Sequence, residues 1–159
     1  HRFDNLKTNQ IKQLLQYILP KQIRIKLINI LYRKYIKTKK KDLHKKFYMN
    51  LNQLKELKNN GHEIGMHGFS HFRLNQLSNA DLKKEIFQTI NYWKKKQIIE
   101  DKFTFCYPFG EYNKNTIQLL KRTECLIGLT TKPSSVKLNS YSPLEMPRYD
   151  TNDFSELVN

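Results

Sequence analysis

Cysteine is almost absent from this chain of 159 residues, which has only Cys106 and Cys125. Two cysteines cannot build a disulfide framework or a four-thiolate metal site. Each sits in an apolar, strand-like segment, so the pair reads as buried free thiols, which favours a reducing, cytoplasmic compartment. No run of 18 apolar residues occurs, which excludes a hydropathic membrane-spanning helix. There are only five glycines and five prolines, and neither an internal repeat nor a low-complexity tract is present. The first residues lack the charged, apolar and small-residue parts of a signal peptide. Because the chain opens on His1 and not on methionine, further sequence is expected upstream.

Acidic residues are also scarce, and the scarcity is local. Residues 1–60 carry 16 Lys or Arg against 3 Asp or Glu, whereas residues 61–159 carry 13 against 11. The basic part reads as helical. Ile11, Leu14, Leu15 and Ile18 recur at helical spacing, Pro20 interrupts, and a second apolar series runs from Ile23 to Ile36. Lys37-Thr-Lys-Lys-Lys41 then reads as a linker or a fraying helix end. A basic helical stretch of this kind can lie on an anionic membrane surface, here through residues 1–41, or serve as a Lys-rich solvated face packed by its Ile and Leu. No sequence-specific nucleic-acid contact is expected.

Residues 50–159 alternate helix and strand. Asn50, with Gln53 three residues on, caps a helix through Leu51, Leu54 and Leu57 that Gly61 stops. Ser78 caps a long helix from Asn79 to about Lys96, with Leu82, Ile86, Ile90 and Trp93 on its buried face. Strands are predicted at Phe103–Tyr107 and Cys125–Thr130, a helix at Asn115–Lys121, and an edge segment at Leu144–Pro147. Asp153 is expected to cap a last helix over 154–158. Such alternation gives parallel βα units.

Against that framework one stretch stands out, Gly61-His-Glu-Ile-Gly-Met-His67-Gly-Phe-Ser-His71. Two imidazoles four residues apart follow a short apolar run, and on a helical turn both rings would point to one side as metal ligands. A catalytic zinc takes three protein ligands and an open position, so a third must come from elsewhere. The second stretch, Phe103-Thr-Phe-Cys-Tyr-Pro-Phe-Gly-Glu-Tyr-Asn113, is a strand that stops at Pro108 and Gly110. The carboxyl end of a parallel strand is where α/β folds bind ligands.

In order, these two blocks, Gly128-Leu-Thr-Thr-Lys-Pro133 and Met146-Pro-Arg-Tyr-Asp-Thr-Asn-Asp153 resemble the later part of a polysaccharide deacetylase domain, the NodB-type carbohydrate esterases, over roughly residues 50–159. The resemblance implies a partial, distorted (β/α) barrel with an N-terminal basic helical segment, residues 1–49, before a catalytic part, residues 50–159. It implies metal-dependent hydrolysis of N- or O-acetyl groups on a polysaccharide or surface glycan. His67 and His71 would hold a divalent metal, zinc by preference. Tyr107, Pro108 and Phe109 would line the substrate groove, the backbone N–H of Phe109 serving the oxyanion.

The same comparison exposes departures. The family's first motif, a strand ending in paired aspartates that supply the base and third ligand, has no counterpart here beyond the faint Arg2-Phe3-Asp4-Asn5. Where many members carry an arginine two residues before the proline, this chain has Cys106. Arg148 is a candidate for the missing positive charge. The intact protein is therefore expected to carry its catalytic aspartates upstream, and this chain alone to be inactive. The alternative is a module without catalysis, one that binds carbohydrate or associates with membranes or nucleic acid through its basic segment.

Overall fold

The computed structural model describes residues 4–36, 38–136 and 139–157. Its contacts divide the chain between Met49 and Asn50 into two compact units. No helix among the described residues is long and apolar enough to cross a membrane.

The first unit is helical. Helix α1 (Leu6–Gln13) starts where the Asn5 side chain accepts the Thr8 N–H, and it runs into a π-helical turn, Leu14–Ile18. Pro20 stands at the N-cap of α2 (Lys21–Tyr35), where its fixed φ suits a helix start. Helix α3 (Lys40–Phe47) occupies ground read from the sequence as linker; Lys37 lies outside the described residues. Asp4 belongs to this unit and accepts from Lys12 Nζ at 2.7 Å. None of the described residues before Asn50 is buried.

The second unit contains the core. Helix α4 (Leu51–Asn59) opens with the capping box expected of Asn50 and Gln53. Helix α5 (Asn79–Lys95) opens at Ser78, whose side chain accepts the Asp81 N–H. Strand β1 (Phe103–Cys106) runs parallel to β2 (Cys125–Leu129), with α6 (Lys114–Leu120) crossing between them. Single parallel bridges add Met66 beside Phe105 and Met146 beside Leu129. The order across the sheet is thus Met66, β1, β2, Met146, and all four segments run the same way. Met66, Leu82, Ile86, Phe105 and Leu120 are buried together with Ile98 and Leu144 in one cluster.

This is an α/β fold with a small parallel sheet. Two strands and two single bridges do not close a barrel among the described residues. Glu85 and Thr89 share the buried face of α5 with Leu82, Ile86 and Ile90, while Trp93 is only partly covered. The final helical segment also differs from expectation. It is a 3₁₀ turn, Thr151–Leu157, that already contains Asp153. Asp150 Oδ1 accepts the Asn152 N–H at 2.9 Å, and Asp153 Oδ2 accepts the Asp150 N–H at 2.7 Å, so Asp150 takes the capping role assigned to Asp153.

Candidate active site

Parallel strands place their carboxyl ends on one edge, and the candidate residues leave from that edge. His67 follows Met66, Tyr107 follows β1, Thr130 follows β2, and Arg148 stands two residues after Met146.

The two histidines converge, but not on a helical turn. Gly68, at φ +78°, and His71, at φ 55°, fold the segment into a loop. A Cβ at Gly68 would come within 3.2 Å of Glu85 Oε1 and 3.3 Å of Pro108 Cγ, so both conformation and space call for glycine. Below the loop, Glu85 is only 4% exposed and accepts the Ser70 N–H at 2.5 Å. The loop therefore rests on a buried carboxylate.

His67 Nε2 and His71 Nε2 stand 3.1 Å apart. Two nitrogens bound tetrahedrally to one zinc at 2.0–2.1 Å would be separated by about 3.3 Å. His67 Nδ1 lies 2.8 Å from the Cys106 carbonyl oxygen. A carbonyl can only accept, so Nδ1 carries the proton and the Nε2 lone pair points toward His71; second-shell bonds of this kind orient metal-binding imidazoles. Partial burial, then the neighbouring His67, hold the pKa of His71 below its usual value of 6.5 and keep the ring in the neutral form that ligates. The donor set fits two positions of a metal site. No group of three His, Cys, Asp or Glu suited to a metal occurs among the described residues.

Phe109 is the other unusual residue. It sits at φ 60°, ψ 8° inside the tight turn Pro108–Gly110, the left-handed region that a bulky side chain rarely enters. Its N–H has no acceptor among the described residues, whereas the flanking Gly110 N–H and Glu111 N–H bond to Tyr107 O and Pro108 O. The Phe109 ring meets His71 edge-on at 4.6 Å between centroids, and the Arg73 guanidinium lies 4.0 Å from its centre. Arg73 is 6% exposed and pairs with Glu111 at 3.1 Å. Two left-handed non-glycine residues thus touch at the candidate site, the kind of strain that surrounding structure must hold in place.

The remaining candidates fall elsewhere. Tyr107 was expected to line the groove, but its ring is fully buried and its hydroxyl donates to Leu144 O at 2.6 Å. Pro108 is also buried. Arg148 lies exposed on the same sheet edge, with Nε donating to Thr130 O at 2.8 Å. The positive charge that acts on His71 belongs to Arg73, which sequence reasoning passed over. Glu85 was missed as well. Its signal was a carboxylate inside the apolar stripe Leu82, Ile86, Ile90.

Comparison with known proteins agrees with this geometry. The family model described as polysaccharide deacetylase matches residues 3–126, so the likeness extends into the first unit and ends earlier than the motifs suggested. A Bacillus subtilis (strain 168) protein, YxkH, which carries a provisional name as a polysaccharide deacetylase, is 26% identical over 100 residues, 60% of this chain and 34% of its own length. The structure of the Streptococcus pyogenes deacetylase PplD in complex with acetate matches with a TM-score of 0.57 and 28% identity, over 63% of this chain and 43% of that one. The chain therefore spans less than half the length of either relative. By its family match and the placement of its motifs, the chain belongs to the polysaccharide deacetylase family.

Proposed function

We propose that the intact protein removes acetyl groups from a polysaccharide, using a divalent metal, zinc by preference, held in part by His67 and His71. The observation that carries this reading is the convergence of the two Nε2 atoms at 3.1 Å, with the His67 tautomer set by the Cys106 carbonyl. The third ligand and the general base come from outside the described residues. When bound, the metal would polarise the acetyl carbonyl and acidify water, which is what a sluggish amide or ester needs.

The chain's own residues do the rest. Glu85 holds the loop that carries His71, and His67 is oriented by backbone. The Phe109 N–H is available to a developing oxyanion, a preorganised donor worth about 3 kcal/mol in such sites. Arg73 fixes the Phe109 ring from the side opposite its own carboxylate partner, Glu111, so the turn is braced in its strained form. The finer architecture we infer is a partial, distorted (β/α) barrel completed by further chain.

The test is acetate release from an acetylated polysaccharide by protein made from the complete coding sequence. Activity should require added zinc, vanish with chelator and fall below detection in H67A and H71A. Metal-independent release, or full activity in H71A, sinks the reading. The present chain alone is expected to bind zinc weakly and to release no measurable acetate.

A second reading concerns the first unit. We propose that it also contacts anionic membrane surfaces, since no acidic residue lies between Asp4 and Asp42 while Ile11, Ile18, Ile23 and Ile30 are exposed. Sedimentation with phosphatidylserine vesicles that weakens steeply with salt is the expected result, and equal binding to neutral vesicles would oppose it.

A further inference from the structure

Between His67 and His71 the loop carries one large apolar side chain, Phe69, and it is 45% exposed. This exposure is not the looseness of an unanchored loop. Gly68 on one side is left-handed, Ser70 on the other is bonded to buried Glu85, and His71 is again left-handed. The segment is held so that Phe69 faces solvent.

Phe69 has one aromatic neighbour, Tyr92 of α5, whose ring lies edge-to-face with it at 5.7 Å and is itself 43% exposed. Tyr92 is braced from behind by Trp93, edge-to-face at 4.9 Å, and Trp93 packs against the core. Loop and helix thus present two rigid rings side by side. At the rim, Lys96 Nζ stands 5.9 Å from the centre of the Tyr92 ring.

The chemistry of that surface suits a sugar. One face of a pyranose is a patch of C–H groups, weakly positive, and an aromatic ring offers a negative face that attracts them and excludes water. A Tyr hydroxyl and an ammonium at the edge supply partners for sugar hydroxyls. Because Phe69 lies between the two histidines in the chain, a ring stacked there would belong to the same glycan whose acetyl group reaches His67 and His71.

We propose that Phe69 and Tyr92 form an aromatic platform that binds a sugar unit neighbouring the one deacetylated. The proposal rests on the deacetylase reading and gives that site a means to prefer polymers over single sugars. Trp93, which touches Tyr92, is the only tryptophan in the chain and reports on occupancy.

The experiment is a fluorescence titration of the full chain with two probes, an N-acetylglucosamine tetramer and an O-acetylated xylan oligomer. Saturable change in Trp93 emission by one of them is expected. F69A and Y92A should each weaken binding about tenfold, while F69W and Y92F stay within about twofold of wild type. Both rings are largely solvent-facing, so thermal unfolding of the four variants should match wild type. Wild-type affinity in both alanine variants overturns the platform and leaves the deacetylase reading standing. No saturable binding of either probe by wild type overturns the platform as well. Failure of zinc to bind, or of acetate release to depend on His67 and His71, is read in separate assays and bears on the deacetylase reading alone.

Discussion

Helices α2 and α5 have similar lengths and the same mean hydropathy, yet one belongs to a unit without a buried residue and the other forms the floor of a core. The difference is angular. On α5 the apolar residues recur at three and four positions, so Leu82, Ile86 and Ile90 form one stripe. On α2, Ile23, Ile25, Ile28 and Ile30 are spread around the helix, and all four are exposed. Apolar content alone does not make a core, because burial needs the residues on one face and a partner for that face. Charge follows the same division, with the acidic residues that balance lysine concentrated in the second unit.

That contrast can be broken by mutation. Phe105→Ala removes a fully buried ring from the centre of the sheet and should cost about 3–5 kcal/mol in urea unfolding, whereas Ile30→Ala should stay within about 0.5 kcal/mol. Comparable losses would mean that the first unit has a core of its own. Next in size is the metal site. H67A and H71A should each weaken zinc binding about 100-fold by calorimetry, while Arg148→Gln, whose Nε is bonded to Thr130 O, should leave it near wild type. A large effect of Arg148→Gln would restore the part first assigned to it.

Smaller effects sharpen the boundary. Asn50 opens the second unit with a capping box, so Asn50→Ala should cost about 1 kcal/mol, and Asn5→Ala should not alter the main unfolding transition. A loss of similar size at Asn5 would show that both units melt together. The smallest expected effect is chemical. Burial pushes the Cys125 thiol up to about 11, so alkylation at pH 8 should be slow and accelerate only as pH approaches that value. The sign for stability follows. Above pH 9 the unfolded chain loses this proton before the folded one does, so Cys125 should favour folding less as pH rises from 9 to 11. Rapid labelling of Cys125 at pH 8 would contradict its burial.

Local signals in the second unit were legible in the sequence because each is carried by a few neighbouring residues. Asn50 with Gln53, Ser78 before α5, and the Pro108 and Gly110 stop after β1 all form where the pattern placed them. The histidine pair was legible as a pair, but its geometry was not. Spacing of four suggested a helical turn, and only the left-handed Gly68 and His71 reveal that a loop does the work. Arg73 and Glu111 lie 38 positions apart, so their pairing across Phe109 has no local signature. Tyr107 was misjudged for a related reason. A strand-end aromatic beside a proline can face the groove or the core, and its hydrogen bond to Leu144, 37 residues on, decides for the core.

The bond from His67 to position 106 goes to the main-chain oxygen, an atom that every amino acid carries. The side chain at 106 is therefore spare as far as the imidazole is concerned. That freedom explains how a cysteine can stand where many relatives have an arginine without disturbing the histidine beside it, and how the arginine's charge can be supplied from a different strand end through Arg73. Position 106 is open ground for drift or redesign, while the backbone around it is not.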